Sequence, residues 1–186
     1  RGRAEGDDFG WSFAQVGDLD GDKVRDHVGT SRGLNGLGGA VARAFSGADG
    51  KELWSTLPVP TAPDERHSFD WIEDVCEAGD VDGDDIPDLA MIRRETGSLA
   101  LVSGRAGETL FAIQEEFSSV RGVPNGHLSE PLERIEDRDG DGLEDLLVGA
   151  FANASRILSP RTRSWSSLPR PLHHARSAGD VDHDGR

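Results

Sequence analysis

The stretch GDLDGDKVRD at residues 17–26 decides how this chain is read. Asp18, Asp20, Asp22 and Asp26 stand at positions one, three, five and nine of a short loop, and four like charges so close together repel one another. The stretch has copies: GDVDGDDIPD at 79–88, EDRDGDGLED at 136–145 and GDVDHDGR at 179–186. Their first aspartates, at 18, 80, 137 and 180, are spaced by 62, 57 and 43 residues. A recurrence at that period is the mark of an array whose units bury their faces against one another. The short last spacing predicts a third unit trimmed by a hairpin.

Around each loop the order of segments is the same. A mixed apolar segment precedes it (WSFAQV at 11–16, WIEDVC at 71–76), and an apolar or small run follows it (HVGTS at 27–31, LAMI at 89–92, LLVGA at 146–150). A hairpin-like pair then surrounds a glycine-rich turn, AVARAFSGADGKELW at 40–54 and LALVSGRAGETLF at 99–111. Short runs bounded by Gly, Asp and Pro are strand signals, so each unit reads as about four short strands. In the third copy, RILSPRTRSW at 156–165, Pro160 and Arg163 replace glycines and predict a different turn. In the first, Ala40, Ala42 and Ala44 line one side of a strand and Val41, Arg43 and Phe45 the other, a small face suited to close sheet packing. The fold expected is all-β, a β-propeller segment of about three four-stranded blades.

Composition agrees. The chain has 186 residues, 35% of them hydrophobic and 6% aromatic, with 24 glycines and nine prolines, a balance of turns and short strands. The formal net charge of -15 is local: the four loops hold 17 of the 35 acids and four of the 20 bases, and the remainder is near neutral. Local acidity points to cation sites, and the lack of a basic patch argues against nucleic acid. No apolar run is long enough to span a membrane. Cys76, the only cysteine, excludes an intrachain disulfide and a zinc cluster, and reads as a small buried residue.

Calcium takes six to eight oxygen ligands, and a loop with carboxylates at one, three, five and nine and a main-chain carbonyl at seven supplies them. The complete sets are Asp18, Asp20, Asp22 and Asp26; Asp80, Asp82, Asp84 and Asp88; and Asp137, Asp139, Asp141 and Asp145. The carbonyls belong to Val24, Ile86 and Leu143, and Gly21, Gly83 and Gly140 give the backbone freedom to curl. The last copy offers Asp180, Asp182 and Asp184, with His183 at position four and no acid at nine. An all-oxygen loop without a phosphate partner favours Ca²⁺ over Mg²⁺ or Mn²⁺. An EF-hand needs a bidentate Glu at position twelve and a Gly at six, where this chain has Gly29, Met91 and Val148, and Lys23, Asp85 and Gly142.

The DxDGDxxxD loops between strand runs, the Phe9-Gly10 pair before the first loop and the Gly149-Ala150 pair after the third resemble the FG-GAP repeats of integrin α subunits and related VCBS-type repeat proteins. MIRRETG in the second unit and GAF in the third depart from that pattern. The resemblance spans 1–186, with approximate repeats at 9–67, 68–127 and 128–174 and a truncated repeat at 175–186. It implies a seven-bladed, usually extracellular propeller with calcium between the first two strands of each blade. Seven such blades need more than about 400 residues, so the chain reads as a piece whose remaining blades lie elsewhere.

Other residues say less. His173 and His174 are adjacent and would point to opposite faces of a strand. Trp11, Trp54, Trp71 and Trp165 recur near strand positions and suit packing between blades better than sugar stacking. Glu115 and Glu116 are too close in sequence for opposing catalytic roles, and Asn153-Ala154-Ser155 matches a glycosylation acceptor. No nucleophile elbow, zinc-protease or nucleotide motif is present. The expectation is a non-catalytic, calcium-binding propeller region of a larger secreted or cell-surface protein, acting in adhesion or in binding an unknown protein or glycan. Two other readings stay open: a platform or accessory propeller of a secreted hydrolase active on phospholipids or polysaccharides, and a carbohydrate-binding lectin.

Overall fold

The computed structural model describes residues 9–31, 41–56, 72–93, 98–114, 128–150 and 155–168. Among them the chain forms β1 (Phe13–Gln15), β2 (His27–Thr30), β3 (Ala42–Phe45), β4 (Glu52–Ser55), β5 (Ile72–Gly79), β6 (Asp88–Arg93), β7 (Ser98–Val102), β8 (Thr109–Gln114), β9 (Leu128–Ile135), β10 (Asp145–Ala150), β11 (Arg156–Ser159) and β12 (Ser164–Ser167). They make three four-stranded antiparallel sheets, each ordered in space as in sequence: β1 to β4, β5 to β8 and β9 to β12. Four strands per repeat is what the sequence predicts, and each of the three aspartate loops among the described residues joins the first strand of a sheet to the second. The expected trimming of the third unit is not found. It keeps all four strands, and most of the shortening falls after the last of them: Asp180 follows the end of β12 at Ser167 by 13 residues, whereas Asp137 follows the end of β8 at Gln114 by 23 and Asp80 the end of β4 at Ser55 by 25.

The central sheet is buried on both faces, which explains the unbroken apolar runs of β6 and β7. Side chains of a strand alternate between faces. Leu89, Met91, Ala100 and Val102 join Val16, Leu19, Val28, Ala42 and Ala44 of the first sheet in one core. Ala90, Ile92, Leu99 and Leu101 join Leu132, Leu146, Val148 and Leu158 of the third sheet in another. Fully burying a Leu or Ile side chain is worth roughly 1.5–3 kcal/mol relative to exposure, so these two cores dominate cohesion between the sheets. The small Ala42 and Ala44 face packs inward as expected; Ala40 lies outside the described residues. The opposite face is covered too. A Cβ on Gly29 would lie 2.7 Å from Phe9 Cζ, so the Phe9 ring rests on bare backbone, with the Arg43 guanidinium 4.5 Å above its centroid.

Contacts between sheets repeat with altered chemistry. Trp54 of β4 donates its Nε1–H to the Gly104 carbonyl at 2.6 Å, and a Cβ on Gly107 would come within 2.6 Å of the indole. At the next interface Phe111 holds the place of Trp54, and Arg163 that of Gly107, with its guanidinium 3.9 Å from the ring centroid. The expectation that Arg163 alters the turn is corrected: its φ of 57° matches the 72° of Gly50 and 71° of Gly107. Cation–π attraction to Phe111 accompanies a conformation that otherwise favours glycine. The real departure is at Pro160.

Two acids on β5 tie all three sheets together where their first strands meet. Asp74 accepts from the Ser12 hydroxyl at 2.9 Å and the Leu132 N–H at 3.1 Å. Glu77 accepts from the Gly17 N–H at 2.6 Å and pairs with Arg134 of β9. The neighbouring Cys76, expected to be buried, is half-buried; loss of solvent around its sulfur pushes the thiol above its usual range, with the Asp74 charge adding, so it is a poor nucleophile.

Candidate metal centres

Each of the three described aspartate loops is built by its own carboxylates. Asp18 Oδ1 accepts the N–H of Gly21 at 2.6 Å and of Asp22 at 3.1 Å, and Oδ2 that of Lys23 at 2.7 Å. Asp80 repeats this with Gly83, Asp84 and Asp85, and Asp137 with Gly140 and Gly142. Aspartate side chains favour such bonds to backbone a few residues on. The curl needs left-handed backbone at position four, where Gly21, Gly83 and Gly140 have φ of 85°, 85° and 81°. A Cβ at any of the three would meet nothing within 4 Å, so the demand is conformational rather than steric. Position six is left-handed as well, at Lys23 (70°), Asp85 (66°) and Gly142 (86°). Glycine there is therefore not required, and position six does not separate these loops from an EF-hand; the flanking strands and the absent Glu at twelve do.

Position nine has a different task. Asp26 and Asp88 are fully buried, and each binds two parts of its sheet. Asp26 accepts from Leu19 N at 2.7 Å and from Gly47 N at 2.8 Å, while Asp88 accepts from Val81 N at 2.8 Å and from Gly104 N at 3.0 Å. The loop is thereby clasped to the hairpin turn between the third and fourth strands. Asp145 accepts from Arg138 N at 3.0 Å, but its Oδ1 is buried without a partner. The cause is Pro160, which stands where Gly47 and Gly104 stand and has no N–H.

The structure brings one ligand oxygen from each of Asp18, Asp20 and Asp22 within 4.8 Å of one another, and likewise from Asp80, Asp82 and Asp88, and from Asp137, Asp139 and Asp141. Asp26, Asp84 and Asp145 fall outside these triads: Asp26 and Asp145 face backbone donors, as Asp88 also does within its triad, and Asp84 faces Arg105. Val24, Ile86 and Leu143 stand at position seven, their N–H groups donating to the position-five aspartates. Asp180, Asp182, Asp184, His183, His173, His174, Glu115, Glu116, Trp71, Asn153 and Ala154 lie outside the described residues.

The proton affinities divide along the same lines. Burial pushes the Asp18 carboxyl up, but N–H bonds from Lys23, Gly21 and Asp22 outweigh it and hold it below its usual range. N–H bonds from Gly142 and Gly140 do the same for Asp137. Burial raises Asp88 and Asp145; repulsion from Asp139, Asp137 and Asp141 adds to the rise at Asp145. Three gathered carboxylates per loop, all-oxygen donors, suit a hard divalent cation.

Sequence reasoning missed Arg105, the consequence of Pro160, and the bridging acids Asp74 and Glu77. The signal for the acids was present: charged residues interrupting the apolar WIEDVCEAG.

No family model matches the sequence. The chain is similar to Protein FAM234A of Homo sapiens, 28% identical over 152 residues, and of Rattus norvegicus, 26% identical over 152, in each case covering 74% of this chain and 25% of that protein. It thus spans about a quarter of the length of these relatives. Among solved structures it is similar to BamB from Moraxella catarrhalis, with a TM-score of 0.35 and 13% identity, over 82% of this chain and 51% of that one. Among the described residues no helix is long and apolar enough to cross a membrane.

Proposed function

We propose that this chain is a calcium-binding, non-catalytic segment of a β-propeller in a larger secreted or cell-surface protein, and that the propeller acts in adhesion or ligand binding. One observation carries the reading: the same self-caged aspartate loop recurs between the first two strands of three successive sheets, each time gathering three carboxylates. Bound calcium would supply countercharge to the gathered carboxylates. The chain's own residues do the rest. Position-one aspartates fix the curl through N–H bonds, and Asp26 and Asp88 at position nine transmit the order of the first and second loops to the outer hairpin. The three packed sheets, each a simple up-and-down meander, support the propeller reading.

The lectin reading finds no support at Trp54. Trp54 spends its Nε1–H on Gly104 and its ring face on Gly107, as an element joining two sheets. Calcium binding to the native state raises stability through linkage, by about 2.7 kcal/mol per site at a hundredfold excess over Kd. Chelation is expected to lower the melting temperature, and added Ca²⁺ to restore it. Identical melting curves with and without chelator would refute the reading.

A further inference from the structure

We propose that Arg105 is a tethered countercation of the second loop, which calcium must displace, so that the three loops fill unequally and the second is held shut by the protein's own guanidinium. The inference rests on the calcium reading above and concerns how that site is regulated. Arg105 Nε donates to Asp84 Oδ2 at 2.6 Å, and its Nη2 to the Asp84 main-chain carbonyl at 3.3 Å. Asp84 Oδ1 is already taken by the Ile86 N–H at 2.9 Å. Both oxygens of the position-five carboxylate are thus engaged, and Asp84 is the carboxylate missing from the second triad.

The other loops lack this device for identifiable reasons. In the first, Ala48 occupies the turn position of Arg105, and Asp22, which accepts from Val24 N at 2.7 Å, remains in its triad. In the third, Arg161 holds the equivalent place, but the Ser159 hydroxyl donates to Asp141 Oδ2 at 3.0 Å, and Asp141 also stays in its triad. The Arg105 contact is partly exposed, with side-chain exposures of 58% and 26% for Arg105 and Asp84. Such pairs are weak, so a cation at ordinary concentration can displace the guanidinium rather than be excluded by it.

The position-four glycines give one reporter per loop, because each donates its N–H to the first aspartate of its own loop. Their backbone amide resonances are followed by ¹H–¹⁵N NMR of the whole 186-residue chain during titration with Ca²⁺ alone. Arg105→Ala is expected to lower the midpoint at Gly83 about two- to fivefold, with Gly21 and Gly140 unmoved. The converse variant, Ala48→Arg, is expected to raise the midpoint at Gly21 by a similar factor. A Gly83 midpoint that is unchanged or raised in Arg105→Ala overturns this inference while leaving the calcium reading standing. Failure of all three glycines to respond in the unsubstituted chain overturns both.

Discussion

The second and third loops share nearly every local feature and differ in how they meet the hairpin turn beside them. Asp88 has both oxygens bonded, to Val81 and Asp82 on one side and Gly104 on the other; Asp145 has one bonded to Arg138 and one buried without a partner. The carboxylates are the same, and the contrast comes from a single exchange of Gly104 for Pro160 far along the chain. The lesson is that the loop sequence builds the curl, while the outer turn decides how well the buried charge at position nine is compensated.

The sharpest way to break the contrast is to exchange the turns. A Cβ on Gly104 would stand 1.9 Å from the Pro87 carbonyl oxygen and 3.0 Å from Leu19 Cδ2, so Gly104→Pro both collides and deletes the Asp88 bond. A loss of more than about 3 kcal/mol in urea unfolding is expected, against a change of under about 1 kcal/mol for Pro160→Gly, where a restored bond offsets lost rigidity.

Next in size is direct removal of the position-nine acid from the metal-free protein. Asp88→Ala strands three N–H donors and is expected to cost about 3 kcal/mol, whereas Asp145→Ala strands one and costs about 1 kcal/mol. Equal losses would show that Pro160 does not weaken the third clasp.

The smallest effect is a pH dependence within the third loop, where two carboxyls shift in opposite directions. Asp137 lies low, so it contributes stability that is present above the ordinary carboxylate value and lost as pH falls through its own lower value. Asp145 lies high, so the folded state binds its proton more tightly; ionisation costs stability as pH rises through the raised value, and the cost is absent below the ordinary one. Without calcium, Asp145→Asn should therefore gain on the unsubstituted protein between acidic pH and neutrality, and Asp137→Asn should lose. Urea midpoints across that range check both signs.

Much of this was legible in the sequence because it is local. Alternation and turn residues marked the strands, and recurrence marked the loops. The glycines at position four follow from the curl itself. What escaped depends on contacts between distant segments. Nothing near Gly29 announces that Phe9 lies across it, and nothing near Asp84 that Arg105 reaches it. Pro160 in the place of a glycine marked the odd turn in the sequence, though not its buried partner Asp145. Arg163 misled in the other direction, since aromatic contact with Phe111 accompanies a backbone conformation that composition assigns to glycine.

The central claim is that each complete loop holds one calcium ion. Equilibrium dialysis of the chain against Ca²⁺ in excess Mg²⁺ tests it most directly, repeated with Asp18→Asn, Asp80→Asn and Asp137→Asn. The account predicts an ion for each of the three loops and the loss of about one with each substitution. No bound calcium, or binding that none of the three substitutions reduces, would contradict it.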